Sequence, residues 1–337
     1  MTTVLPVLPL ADSFQRRVTY VRLSLTDRCN FRCTYCMPEA GVELSPKSEV
    51  LTFEEIERLV GLLAQLGVER VRLTGGEPTV RKDVVEIVRR VAAVPGVREV
   101  MMTTNGLLLE ELAGRLRAAG LSRINISLDT LERAKFAHIA RRDQLERVLA
   151  GIEAACQAGF SAVKLNVVAL RGFNDREAGA LCRFAWARGC VPRFIEWMPM
   201  SDGVLYAPGS LWPAAEIRAA IEAQCSVKLH PATSGAPGSG PARYWRTEPG
   251  GHEVGLITAM TEHFCDTCNR VRVSATGMLH ACLAHDDAVD LKTPLRRGDE
   301  AAVVRAVRTA LGEKRAGHEF TVGGGGAPHK HMVSIGG

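Results

Sequence analysis

The sequence predicts an α/β fold, a partial (βα)6 TIM-like barrel left open, and two observations predict it. From Tyr20 to about Met198, six β-rich runs alternate with helical patterns, the order of successive parallel βα units. Six units are too few to close the eight-membered ring of a complete barrel. Polar residues inside these runs recur two apart and so share one face, whereas a parallel strand covered on both sides is apolar on both. An open barrel with a polar interior fits that pattern, and a doubly wound sheet is the alternative.

The strands are expected at 20–25, 70–74, 99–103, 123–128, 163–169 and 191–197. Between the first two, Thr52 and Glu55 form a capping box that opens a helix continuing through Ile56, Leu59, Val60 and Leu63 at helical spacing. Further helices are expected at 83–94, 107–119, 143–158 and 175–188. On the strands, Arg70, Arg72 and Thr74 share a face, as do Arg123, Asn125 and Ser127, and Lys164 and Asn166. Edge exposure explains any one of these sets, but three together favour a water-filled substrate cavity. After Pro199 the pattern changes. Residues 233–241 are a loop by composition, a helix is expected at 299–312, and the glycine run 323–326 cannot form a regular element. The organisation expected is an amino-terminal extension (1–19), the barrel (20–200), a second cysteine-bearing region (201–322) and a glycine-rich tail (323–337).

A chain of 337 residues, 46% hydrophobic, can bury a large core. It has no apolar run of about 18 residues and no basic start of a signal peptide, which predicts a cytoplasmic protein without a membrane partner. Its 42 basic and 37 acidic residues do not mark a nucleic-acid binder, although the sign favours anionic ligands. In a reducing compartment, ten cysteines, six of them in two clusters, point to metal rather than disulfides. Cys156, Cys182, Cys190 and Cys225 lie outside the clusters and read as small core residues.

Cys29, Cys33 and Cys36 follow the first strand at its carboxyl end, where parallel α/β folds carry their active sites. Their CxxxCxxC spacing supplies three thiolates where a four-iron cube wants four, which leaves one iron open for chemistry. Zinc competes for thiolates at short spacing, but no fourth Cys or His stands between Cys36 and the next strand. Gly75-Gly76-Glu77-Pro78 closes the second strand, where glycines let the backbone approach a ligand. Together these motifs resemble the radical S-adenosylmethionine (SAM) enzymes. The resemblance implies a [4Fe-4S] cluster on the three cysteines, S-adenosylmethionine chelated at the open iron, and a 5′-deoxyadenosyl radical released by one electron.

A second group follows, Cys265, Cys268 and, after a thirteen-residue spacer, Cys282. His263, His280 and His285 can complete a zinc site with these thiolates, and a second iron-sulfur cluster is the favoured reading. Arg270 and Arg272 share a face of the extended run between them, and a guanidinium fork suits phosphate oxygens and the oxygen of a purine.

CxxxCxxC, GGEP, the strand at 193–198, the late cysteine triplet and the terminal Gly336-Gly337 together resemble the GTP 3′,8-cyclases of molybdenum cofactor biosynthesis over nearly the whole chain. The resemblance implies a radical SAM lyase with two [4Fe-4S] clusters that converts GTP into (8S)-3′,8-cyclo-7,8-dihydroguanosine 5′-triphosphate, the radical taking hydrogen from ribose C3′ and C3′ attacking guanine C8. It implies GTP contacts at Arg22, Arg72, Thr103, Lys164, Arg193 and the stretch Arg270, Val271 and Arg272, the two arginines of that stretch being the catalytic candidates. Tyr35, Gly76, Ser127 and Met198 match the SAM pocket. It further implies a reductase or flavodoxin-type electron donor, a downstream cyclic pyranopterin monophosphate synthase, a homodimer, and terminal glycines that reach into the active site. No role is assigned to His329, Lys330 or His331. The rival readings are a peptide-modifying radical maturase and, from a different class, a zinc-binding interaction module.

Overall fold

The computed structural model describes residues 9–232 and 240–336, so Gly337 and all but the end of the loop expected at 233–241 lie outside the described residues. Six parallel strands, β1 (Tyr20–Ser24), β2 (Arg70–Thr74), β3 (Glu99–Thr104), β4 (Arg123–Ser127), β5 (Ala162–Ala169) and β6 (Val191–Glu196), pair in sequence order. Helices α1 (Phe53–Gln65), α2 (Val84–Ala93), α3 (Leu109–Ala118), α4 (Arg133–Ala140), α5 (Leu145–Gln157) and α6 (Ala178–Trp186) connect them. The capping box forms as expected: Glu55 N donates to Thr52 Oγ1 at 3.2 Å, and Thr52 N to Glu55 Oε2 at 2.8 Å.

The carboxyl-terminal part adds α7 (Ala214–Cys225), β7 (Lys228–Ala232), β8 (Arg243–Glu248), β9 (Glu253–Ile257), β10 (Arg270–Val273), β11 (Met278–His280), β12 (Val289–Asp290), α8 (Lys292–Arg296) and α9 (Glu300–Gly312). It extends the same sheet rather than building another, in the order β12-β11-β10-β1-β2-β3-β4-β5-β6-β9-β8-β7. β10 lies parallel to β1 and β9 parallel to β6. Both edges of the six-stranded sheet, with their unpaired N–H and C=O groups, are thereby covered. The edge-exposure account of the polar faces fails for the same reason, since every strand that carries them is internal.

The two faces of each strand divide as the period of two requires. Val21, Leu23, Val71, Leu73, Ile124 and Ile126 join Ile56, Leu59, Ile87 and Leu116 of the helices in one core, each burial stabilising by about 1.5–3 kcal/mol. Arg22, Arg72, Asn125, Asn166 and Arg193 stand on the opposite face and line a cavity. Among the described residues, no helix is long and apolar enough to cross a membrane.

Candidate active site between two cysteine triplets

Cys29, Cys33, Cys36, Cys265, Cys268 and Cys282 all line this one cavity of about 330 Å3. The first triplet sits on an irregular loop held from two sides. On one side, Arg32 N and Thr34 N donate to Ala140 O and Ile139 O of α4 at 3.1 and 2.9 Å, and Phe31 packs edge-on against Phe136. On the other, Gly76 N and Glu77 N donate to Thr26 O and Arg28 O at 2.7 and 2.8 Å. A Cβ on Gly76 would stand 2.3 Å from Arg28 O. The glycines of GGEP therefore admit the backbone that leads into Cys29 as well as facing the cavity.

Glu77 is 1% exposed, and its carboxylate ties the ends of β2 and β3 together. Oε1 accepts from Thr79 Oγ1 and Thr104 Oγ1, both at 2.6 Å, and Oε2 accepts from Asn105 N at 2.6 Å. Asn105 Nδ2 in turn donates to Asn30 Oδ1 at 2.6 Å, beside Cys29. Asp129, just beyond β4, accepts from Tyr35 Oη and Val168 N, both at 2.8 Å, and burial pushes its carboxyl up to about 6. The sequence marks Glu77 only as part of GGEP and does not mark Asp129, although both are acidic residues at strand ends of an α/β sheet.

Burial, then the nearby Glu77 charge, raises the Cys29 thiol to about 11, and burial, then Cys29, raises Cys36 to about 12. Burial likewise raises Cys33, and three half-buried cysteines whose thiols resist ionisation singly become a donor set once a cationic metal group neutralises them. Among the described residues, only His263, Cys265 and His318 bring three donor atoms within 4.8 Å of one another. Among the described residues the first triplet does not form such a close-set group, so its three thiols are not gathered round a single ion.

In the late triplet, burial raises the Cys265 thiol as well, but Cys268 differs. Burial opposes the Cys268 thiolate, but Arg270 and then Lys314 outweigh it and hold the thiol down to about 7. Arg270 Nη2 and Lys314 Nζ each stand 3.9 Å from its sulfur. Arg16, from the amino-terminal extension, braces this loop by donating from Nη1 to Cys265 O and Ala316 O at 2.9 and 2.6 Å, with Asp12 as its ion-pair partner.

Between the triplets stand arginines. Among the described residues, Arg22, Arg72, Arg193, Arg270 and Arg272 form no ion pair. Arg193 Nε donates to Asn166 Oδ1 at 3.0 Å, Arg72 Nη1 to Met102 O at 3.2 Å, and Arg72 Nε to Tyr20 Oη. With its amide oxygen turned toward both guanidiniums, Asn125 accepts from Arg72 and Arg193 at 2.7 and 2.6 Å. Burial, then Arg272, lowers the Arg22 pKa well below the ordinary range, and burial, then Arg270, lowers Arg272 to about 10. Cations held this close without carboxylates favour a polyanion between them.

The tail enters the same space. Gly336 O accepts from Arg22 and from Arg272 Nη1, the latter at 3.2 Å. Ser201 N and Asp202 N donate to Lys330 O and Pro328 O, and Asp286 accepts from His329 N at 3.0 Å, which pins the tail on its way in. The described half of the terminal Gly-Gly thus reaches Arg22 and Arg272 of the cavity wall, and Met332 and Val333 line the cavity itself.

Tyr35, Gly76, Ser127, Met198, Arg22, Arg72, Thr103, Arg193, Arg270 and Arg272 all line the cavity. Two expected contacts do not. Lys164 shares the inward face but stands one layer below, where its Nζ donates to Tyr244 Oη. Val271 is 1% exposed and packs in the core on the outer face of β10, because strand residues alternate sides, so only its backbone is left to meet a ligand.

The family model described as "Radical SAM superfamily" matches residues 23–185, and that described as "Molybdenum Cofactor Synthesis C" matches residues 191–320. The GTP 3′,8-cyclase of Pelotomaculum thermopropionicum is 44% identical over 329 residues, covering 97% of this chain and 100% of its own. That of Geobacter sulfurreducens is 44% identical over 309 residues, covering 92% and 94%. Among solved structures, Streptococcus suis SuiB bound to precursor peptide SuiA aligns over 62% of this chain and 46% of its own, with TM-score 0.51 and 15% identity. HydG, a maturase of the [FeFe]-hydrogenase, aligns over 62% and 50%, with TM-score 0.51 and 18% identity. At such identities the likeness is one of fold. Two family models in tandem and end-to-end identity with named relatives lead to one statement: the chain belongs to the GTP 3′,8-cyclases, a family of radical SAM enzymes whose carboxyl-terminal part is the molybdenum cofactor synthesis C region.

Proposed function

We propose that this chain cyclises GTP to (8S)-3′,8-cyclo-7,8-dihydroguanosine 5′-triphosphate, the first step of molybdenum cofactor biosynthesis. One observation carries the reading: a single cavity with a cysteine triplet at each end and carboxylate-free arginines between them. When bound, a [4Fe-4S] cluster on Cys29, Cys33 and Cys36 together with S-adenosylmethionine supplies the 5′-deoxyadenosyl radical that takes hydrogen from ribose C3′. Tyr35, Gly76, Ser127 and Met198 form the wall for S-adenosylmethionine. Arg22, Arg72, Arg193 and Arg272, with Thr103, hold the triphosphate by charge-assisted hydrogen bonds, and Lys164 adds charge from behind. At the far end, Cys265, Cys268 and Cys282 hold a second [4Fe-4S] cluster, and Arg270 with the Val271 backbone orients guanine so that C8 faces C3′. Enclosure by the barrel and tail keeps water and loose hydrogen donors from a carbon radical.

With this reading go the barrel at 20–200 and an auxiliary-cluster region at 201–322, a reductase or flavodoxin-type donor, a homodimer, a cytoplasmic location and a downstream cyclic pyranopterin monophosphate synthase. Family membership supports them. The test is anaerobic incubation of the reconstituted protein with GTP, S-adenosylmethionine and dithionite. The cyclised nucleotide and 5′-deoxyadenosine are expected together, and 5′-deoxyadenosine without a modified nucleotide would refute the cyclase while sparing the radical chemistry.

A further inference from the structure

We propose that Asn125 is a positioning residue for the anionic substrate: its neutral amide brackets Arg72 and Arg193 and leaves both of their charges uncompensated. Asn125 lies on β4, in register with Thr103 of β3 on one side and Lys164 of β5 on the other. Arg72 comes from β2 and Arg193 from β6, each two strands away, so the two side chains reach inward from opposite halves of the barrel and meet at β4. All three residues are buried and line the cavity, and the one amide oxygen accepts from both guanidiniums. The other acceptors that these forks meet among the described residues are neutral too. They are Tyr20 Oη, Met102 O, Thr103 Oγ1 and Met101 Sδ for Arg72, and Asn166 Oδ1 for Arg193.

The same sheet shows the charged alternative one layer below. There Arg70 of β2 and Arg123 of β4 meet the Glu99 carboxylate of β3 at 3.8 and 2.7 Å, and neither arginine lines the cavity. In the cavity layer the central acceptor is instead an amide with the shape of aspartate. An aspartate between two guanidiniums would form charge-assisted bonds with both and remove one unit of positive charge from the wall. Asparagine holds the same two forks and keeps that charge. The neutral choice costs stability in the ligand-free protein, where the buried cations repel one another, and a bound polyanion relieves the repulsion.

This deepens the GTP reading and rests on it for the identity of the anion. The test is equilibrium dialysis of reconstituted full-length protein under anaerobic conditions with GTP, GDP, GMP and inorganic tripolyphosphate, alongside thermal melts without ligand. Asn125→Asp is expected to melt above wild type and to bind GTP at least about tenfold more weakly, with a smaller factor for GDP and a smaller one again for GMP, because the lost attraction scales with phosphate charge. Asn125→Ala removes the acceptor but no positive charge. It should melt below wild type and weaken all three nucleotides by one common factor, smaller than the loss of GTP in the aspartate variant. Equal losses in the two variants, a loss in Asn125→Asp that does not grow with phosphate number, or an Asn125→Asp protein that melts below wild type would overturn the proposal. Tripolyphosphate separates it from the function it rests on. Wild type that binds tripolyphosphate but not GTP, with the variants in the same order, refutes the GTP reading and upholds the bracket, whereas GTP binding that is alike in all three proteins refutes the bracket and spares the GTP reading.

Discussion

Arg22 donates from Nε and Nη2 to the carbonyl oxygen of Gly336 at 3.3 and 3.1 Å, joining β1 to a residue 314 positions later. Gly336 has φ +73°, and a Cβ there would stand 2.1 Å from Thr74 Oγ1. A left-handed φ costs a non-glycine residue about 1–2 kcal/mol before any clash. Gly336→Ala is therefore expected to free the tail, with hydrogen-deuterium exchange over 332–336 accelerated about tenfold by mass spectrometry. Unchanged exchange would mean that the tail is held elsewhere.

Arg272 opposes Arg22 in the β1–β10 register and lacks a carboxylate partner among the described residues. Arg272→Met removes one of several mutually repelling charges, so the ligand-free protein should melt at a higher temperature. It should also bind GTP roughly 10–100-fold more weakly, the value of one hydrogen bond to a charged group. Equilibrium binding and thermal melts of the same preparation check both directions.

Glu77→Gln turns an all-acceptor group into one with a donor, and one of the N–H groups it serves is left facing that donor. A buried unsatisfied group costs about 1–3 kcal/mol. The Cys29 loop loses its tie through Asn105 and Asn30. Reconstituted protein should show a lower melting temperature and a selective loss of iron from the first cluster, read by iron analysis against a Cys265→Ser control.

Asp129 has a folded pKa of about 6, raised by burial above the ordinary value of about 3.9. A raised carboxyl stabilises the fold fully below the unfolded pKa, and that contribution is lost as pH rises through the folded one. Two units correspond to roughly 3 kcal/mol. Between pH about 4 and 6, cluster-free wild-type protein should therefore lose stability relative to Asp129→Asn, measured by chemical denaturation. Parallel curves would remove Asp129 as the titrating group.

The six barrel strands were legible because each is a β-rich run bounded by turn residues, and the capping box placed the start of α1 to the residue. α4 and α7 were not. α4 has no side-chain cap, and its buried Phe136, Ile139 and Ala140 gather at one end. α7 begins after Pro213 without a local cap, and its first N–H is satisfied from across the fold, Ala214 N donating to Glu196 Oε1 at 2.8 Å. The same Glu196 carboxylate accepts from Met260 N at 2.8 Å and Thr261 N at 2.9 Å, holding the end of β9 to the end of β6. A cap supplied by a distant carboxylate leaves no mark at the helix it opens.

By itself, the sequence determined the two thiolate triplets, the strand ends that carry them and the cationic faces of the strands, because spacing and the period of two are local properties. Only the tertiary structure decided that β9 and β10 close over the barrel edges, that both triplets face one cavity, that Val271 points away from it, and that Glu77, Asp129 and Arg16 hold the cysteine loops. Each of these depends on groups far apart in the chain meeting in space, where burial and unsatisfied hydrogen-bonding groups, rather than local propensity, set the outcome.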